Sequence, residues 1–152
     1  YYDPSEPDQV EEPRLVTAGC DNKVRFWVRG QDGWTEDAGA TVDPDSDVMH
    51  TDWVRDVAWA PSLLPNQNMV ASCSEDRTVL IWKQSGPGEV WKPTLLHRFD
   101  APVWRVSWSV TGHLLAVSSG DSDVTLWKAG LDGKWTQMSS VEDGAVGGQS
   151  QG

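Results

Sequence analysis

An all-β fold made of a repeated hairpin is predicted by three observations on this 152-residue chain. First, an Asp, five residues and a Trp recur three times, as Asp21-Asn22-Lys23-Val24-Arg25-Phe26-Trp27, Asp76-Arg77-Thr78-Val79-Leu80-Ile81-Trp82 and Asp121-Ser122-Asp123-Val124-Thr125-Leu126-Trp127. The tryptophans stand 55 and 45 residues apart. Second, a short β-prone run precedes each Asp: Leu15-Val16-Thr17-Ala18, Val70-Ala71-Ser72-Cys73 and Leu115-Ala116-Val117-Ser118. Third, two opening strands match, Val54-Arg55-Asp56-Val57-Ala58-Trp59 against Val103-Trp104-Arg105-Val106-Ser107-Trp108. A period of about 40–45 residues with a Trp closing a short strand marks a propeller blade, a four-stranded antiparallel sheet.

Residues 1–13, with Pro4, Pro7 and Pro13, read as an acidic loop. Residues 14–38 read as a partial blade with strands at 14–18, 23–28 and 34–37, turned at Gly33, whose innermost strand is expected before residue 1. Residues 39–52 are a polar connection. Residues 53–98 form a complete blade, with strands at 54–59, 69–73, 78–82 and 91–98 and a rim loop between Pro61 and Asn68. Residues 102–138 form a last blade, with strands at 103–108, 114–118, 123–128 and 134–138. Residues 139–152 lack apolar periodicity and read as a disordered tail. In each hairpin the Asp carboxylate can accept backbone N–H bonds in the turn. The Val and the apolar fifth residue share one face. A Trp burying about 150–250 Å² at about 25 cal/mol per Å² contributes about 4–6 kcal/mol as an upper bound. Two and three-quarter blades cannot close a ring, since propellers have four to eight. The prediction is thus an incomplete, open propeller, the C-terminal part of a longer chain.

The net charge is −11. A nucleic-acid binder needs Lys/Arg clusters that release phosphate counterions, and none is present. The acids concentrate in residues 1–13 (Asp3, Glu6, Asp8, Glu11, Glu12) and 36–52 (Glu36, Asp37, Asp43, Asp45, Asp47, Asp52). These read as solvated loops, or as a surface for a basic partner segment. No run of eighteen apolar residues is present. Cys20 and Cys73 fall at different offsets before their Asp residues, so free, partly buried thiols are favoured over a disulfide.

His50, Ser72 and Asp76 invite a catalytic-triad reading. The chain has no G-x-S-x-G elbow and no stretch suggesting an oxyanion hole, so the prediction is no enzyme. In propeller blades a His before the first strand, a Ser or Thr in the second, the turn Asp and the Trp form a structural hydrogen-bond network. Here those residues are His50, Ser72, Asp76 and Trp82, and the network is expected in one blade only, because Phe99-Asp100 replaces the His before the next opening strand. Asp21, Trp27, Asp121 and Trp127 are the corresponding turn and strand-end residues. Three scattered His (His50, His97, His113) and two separated Cys give no metal-ligand spacing, and no phosphate loop leads into a helix; neither metal nor cofactor is expected. Arg55, Arg77 and Arg105 are rim residues that either read a ligand or pair with Asp52, Asp56 and Asp76.

The run His50-Thr51-Asp52-Trp53-Val54-Arg55-Asp56-Val57-Ala58-Trp59-Ala60-Pro61-Ser62 resembles the signature of the Sec-thirteen family, WD-repeat propellers of the COPII outer coat and the nuclear-pore scaffold. The likeness continues through Ala18–Asn22, Ala71–Asp76, Leu95–Phe99, Val103–Trp108 and Val124–Lys128, and covers residues 14–136. The resemblance implies a six-bladed open propeller completed by a blade from an α-solenoid partner, a coat subunit or a scaffold nucleoporin. It also implies a place on the cytoplasmic face of the endoplasmic reticulum and COPII vesicles, peripheral to the membrane only through the coat, at the nuclear pore, and in a nutrient-signalling (mTORC1) complex at the lysosomal surface. Residues 102–138 would then be the last blade, with Val103, Trp104, Arg105, Val106 and Trp108 as candidate partner contacts; simple alternation puts Trp104, Val106 and Trp108 on one face and Val103, Arg105 and Ser107 on the other. The function implied is a scaffold in vesicle transport. The alternative is another WD-repeat adaptor, a ubiquitin-ligase receptor or an iron–sulfur assembly factor, which would capture a peptide at the central channel.

Overall fold

A computed structural model describes residues 12–37, 46–61, 67–86, 88–120 and 122–141. Among these lie eleven strands in three antiparallel sheets. The first sheet holds β1 (Arg14–Ala18), β2 (Val24–Gly30) and β3 (Gly33–Glu36). The second holds β4 (Val54–Trp59), β5 (Asn68–Ser74), β6 (Thr78–Gln84) and β7 (Lys92–Arg98). The third holds β8 (Val103–Trp108), β9 (Leu114–Ser119), β10 (Asp123–Ala129) and β11 (Trp135–Val141). Each strand pairs with its chain neighbour, so every sheet is a meander. The chain is an incomplete β-propeller of WD type, with no helix among the described residues.

The repeated Asp builds the repeated turn. Asp76 Oδ1 accepts the N–H of Thr78 at 2.9 Å, and Asp21 Oδ1 that of Lys23 at 3.3 Å. The residue after each of these two Asp takes a left-handed backbone, with φ of 66° at Asn22 and 69° at Arg77. Register follows from this turn, pairing Ala18 with Val24 and Cys73 with Val79. At Gly112 the backbone is also left-handed (φ 69°), and a Cβ there would collide with the carbonyl oxygen of Pro61, so only glycine fits.

Two apolar layers lie between the three sheets. Val16, Ala18, Val24 and Phe26 of the first sheet pack on Val70, Leu80, Trp82 and Trp91, with Val54, Val57 and Trp59. Phe26 stacks on Trp91 with centroids 4.1 Å apart, and Trp59 meets both rings edge-on. Ala71, Cys73, Val79 and Ile81 on the opposite face of the second sheet pack on Val103, Val106, Leu115, Val117 and Trp127. The middle sheet is therefore covered on both sides, which explains why β5 and β6 are buried almost continuously rather than at alternate positions. Polar bonds also cross between sheets: Trp108 Nε1–H donates to Ala58 O at 2.9 Å, Val106 N–H to Asp56 Oδ2 at 3.2 Å, and Arg14 Nη1 to the buried Gln84 Oε1 at 2.7 Å.

Three details depart from the sequence reading. Residues 139–141, assigned above to the tail, continue β11, because β10 offers backbone partners as far as Val124, which pairs with Val141. Strict alternation along β8 fails. A register shift between Val103 and Arg105 leaves Trp104 outside the ladder, so Val103 and Val106 are both buried in one layer. The thiols are free, but Cys20 is exposed while Cys73 is buried, where desolvation pushes its pKa to about 12 and leaves it inert. The tail from 142 and the acidic loop 1–11 lie outside the described residues.

Candidate functional site

The middle sheet carries a continuous hydrogen-bond chain. Trp82 Nε1–H donates to Ser72 Oγ at 2.9 Å. Ser72 Oγ lies 2.7 Å from His50 Nε2, and His50 Nδ1 lies 3.0 Å from Asp76 Oδ2. With the Ser72 oxygen already accepting from the indole, its hydroxyl proton points at Nε2, and Nδ1–H donates to the carboxylate. Asp76 also accepts from the Thr51 N–H at 2.9 Å and from the Thr78 hydroxyl. Ser74 Oγ donates to Asp52 O and accepts the Asp76 N–H, both at 3.0 Å. These bonds fasten the 50–52 segment to the turn between β5 and β6. Burial pushes the pKa of His50 below its ordinary value and outweighs the pull of Asp76. Burial works the other way on Asp76, but the bonds from Thr78 and Thr51 and the His50 ring outweigh it and hold the carboxyl below its usual range.

Ser72 is fully enclosed, and both sides of its hydroxyl are engaged. A nucleophile needs access to a reacting carbon and a free proton path to its base. This trio has the proton path, from Ser72 Oγ–H to His50 Nε2, but enclosed Ser72 has no access to a substrate, so the trio fixes structure. Among the described residues no group of His, Cys, Asp and Glu could hold a metal, and no helix is long and apolar enough to cross a membrane.

The other two sheets carry reduced versions of the chain. Trp27 Nε1–H donates to Thr17 Oγ1 at 2.8 Å, as Trp82 does to Ser72. Asp21 has no His and pairs with Arg25 at 2.5 Å. In the third sheet Val117 stands where Ser72 and Thr17 stand, so Trp127 Nε1–H turns to Thr125 Oγ1, 2.9 Å away. Asp121 lies outside the described residues. Thr78, Ser74 and Thr125 are network members that the sequence reading missed; their signal was a hydroxyl two residues from Asp76 or from Trp127.

The sheet faces separate the partner-contact candidates. Val103 and Val106 are buried, and Trp108 packs against the middle sheet, so these three serve the interior. Only Trp104 and Arg105 are exposed. The open face of the third sheet is formed by other residues, through the pairs Ala116–Leu126 and Ser118–Val124. These four stand at the repeat positions of Ala71, Cys73, Val79 and Ile81, and of Val16, Ala18, Val24 and Phe26. Val79 is fully buried, whereas Val124 is 36% exposed. The 55- and 45-residue steps between the tryptophans carry these positions as well, a signal present in the sequence.

The sequence model of the WD domain, G-beta repeat, matches residues 47–83 and 93–128. The chain is 47% identical over 129 residues to Protein transport protein SEC13 homolog A of Arabidopsis thaliana, covering 85% of this chain and 41% of that protein. It is 45% identical over 133 residues to the Protein SEC13 homolog of Homo sapiens (86% and 39%), and 47% over 130 residues to that of Dictyostelium discoideum (86% and 40%). The chain thus spans about two fifths of the length of these curated relatives. It is a stretch of WD-repeat β-propeller, and the proteins that its sequence resembles are SEC13 homologues.

Proposed function

We propose that the protein is a non-enzymatic scaffold in protein transport, whose third sheet receives a blade from a partner. The observation that carries this reading is the open face of Ala116, Ser118, Val124 and Leu126. At the equivalent positions the other two sheets are covered by the next sheet. A sheet face of this composition is stabilised by another sheet laid on it at about 10 Å. The partner is an α-solenoid protein that donates strands: an outer-coat subunit on vesicles leaving the endoplasmic reticulum, and a scaffold nucleoporin at the nuclear pore. A signalling complex at the lysosomal surface is a third setting for the same face. The names of the relatives support transport, and the WD repeats support a structural role.

The test is affinity capture of the full chain from cell extract, wild type beside Val124→Glu and Leu126→Glu, with bound proteins identified by mass spectrometry. Solenoid coat or pore subunits are expected with wild type and lost with both variants, while the variants stay folded by circular dichroism. Capture that survives both substitutions, or that recovers ligase or iron–sulfur assembly subunits instead, overturns the reading.

A further inference from the structure

The first strands of the second and third sheets, β4 and β8, are joined by a carboxylate. Asp56 Oδ1 accepts the N–H of Val57 at 2.9 Å, and its Oδ2 accepts the N–H of Val106 on β8 at 3.2 Å. Asp56 pairs with Cys73, which packs in the layer shared with the third sheet. An indole completes the joint, with Trp108 Nε1–H donating to Ala58 O at 2.9 Å. β8 repeats the register of β4. Arg105 pairs with Ser118 as Asp56 pairs with Cys73, and each strand shifts register just before that pair. Arg105 therefore stands on the open face of the third sheet at the position of Asp56. The repeat reverses the charge there. Where the second sheet offers two accepting oxygens, the third offers a guanidinium that only donates. Arg105 is exposed, is the one charged residue of β8, and pairs with no carboxylate among the described residues.

We propose that Arg105 selects the blade that covers the third sheet, by requiring an Asp or Glu on the first strand of that blade. This role rests on a partner's blade covering the third sheet, as proposed above, and adds what the incoming strand must carry. A sheet laid on this face withdraws Arg105 from water, as the third sheet half-buries Asp56. A charge withdrawn without a counter-charge is costly. A strand of this chain's own type is a poor occupant, because it would present a backbone N–H there, as Val106 does to Asp56. Donor would meet donor. A carboxylate on the incoming strand resolves both conflicts. It accepts from its own strand's N–H, as Asp56 accepts from Val57, and it receives the guanidinium in a charge-assisted bond. The acid thus moves from the receiving sheet to the arriving one, which separates a partner's blade from a second copy of this chain.

The test uses the full chain as bait in cell extract, wild type beside Arg105→Lys and Arg105→Glu. A water-soluble carbodiimide then joins amines to the carboxylates they touch, and mass spectrometry locates the links. In Arg105→Lys, position 105 is expected to be joined to an Asp or Glu on the donated strand of a captured solenoid protein. Arg105→Glu sets like charges together and is expected to lower the amount of that protein captured about tenfold or more, with the circular dichroism of the wild type. Capture of the solenoid protein by Arg105→Lys with no link at position 105 overturns the proposal, and so does undiminished capture by Arg105→Glu. Both results leave the scaffold reading standing. A link from position 105 to an acid of this chain, or of a second copy of it, overturns the proposal as well. Wild type that captures no solenoid protein overturns the scaffold reading, and the role of Arg105 falls with it. The Arg105→Glu arm decides even where Arg105→Lys holds the partner too weakly to be joined.

Discussion

The second and third sheets are built from the same repeat and differ in what covers them. Both have four strands in the same order, the same register between their second and third strands, and a Trp near the end of the third strand. The second sheet is sandwiched, and its Val79 and Ile81 are fully buried. The third has a sheet on one side only, and its Val124 and Leu126 meet water. Residue type is thus set by the repeat, while burial is set by the neighbour. The same valine is fully buried at position 79 and meets water at position 124.

The tryptophans give the largest test of this comparison. Trp82→Ala empties a fully buried site and leaves Ser72 without a donor. It is expected to cost about 3–5 kcal/mol, enough to abolish cooperative folding. Trp27→Ala, on the open side of the first sheet and half-buried, is expected to cost less than half as much. Equal losses in thermal unfolding would break the comparison.

The paired valines come next. Val79→Ala is expected to destabilise by about 1–3 kcal/mol and Val124→Ala by under about 0.5 kcal/mol. Urea midpoints measure both. A Val124 loss as large as that of Val79 would mean that the open face already has a cover within the chain.

The turn chain sharpens the contrast in a different way, because among the described residues only the middle sheet has it complete, with a His between Ser72 and Asp76. The pKa of His50 is lower in the folded protein than its ordinary value of about 6.5. The unfolded chain therefore binds the proton first as pH falls, and stability drops progressively below about pH 6.5 until the folded His50 also protonates. Asp76 is lowered from 3.8, so its contribution is present above that value and is lost as pH falls through its folded pKa. Melting temperature against pH should show both limbs. His50→Gln should remove the upper limb and lower stability at pH 7 by about 1–2 kcal/mol, because Asp76 and Ser72 lose a partner. A flat profile between pH 7 and 5 in the wild type would contradict the geometry.

The smallest expected effect lies in the turns. Arg77 holds φ at 69°, where a Cβ is disfavoured and glycine is at ease. Arg77→Gly is expected to raise stability by up to about 1 kcal/mol. Asn22→Gly should gain less, since Asn tolerates that region. A loss in both would show that the side chains matter more than the backbone.

The sequence announced the meander because Asp, Val and Trp recur at fixed spacing, and that spacing has few solutions other than a hairpin. It announced His50, Ser72, Asp76 and Trp82 because a buried hydrogen-bond chain needs specific residue types in order. It concealed the orientation of Val103 and Val106, since a bulge adds a residue without any mark in composition. It also concealed the end of β11, whose Ser139 and Ser140 are held by backbone pairing with Leu126 and Thr125 and not by an apolar pattern. Exposure at Val124 was equally hidden, because residue type alone does not say whether a neighbour is present.

The nearest-neighbour order of the strands has a consequence in time. Every pairing joins segments adjacent in the chain, so each sheet can form as soon as its own residues leave the ribosome, with only short loops to close. The layers between sheets cannot. Phe26 must wait for Trp82 and Trp91, which are made more than fifty residues later. During synthesis the first sheet is therefore an apolar surface awaiting its successor. A nascent chain arrested just after residue 37 should be held by chaperones more tightly than one arrested after residue 98.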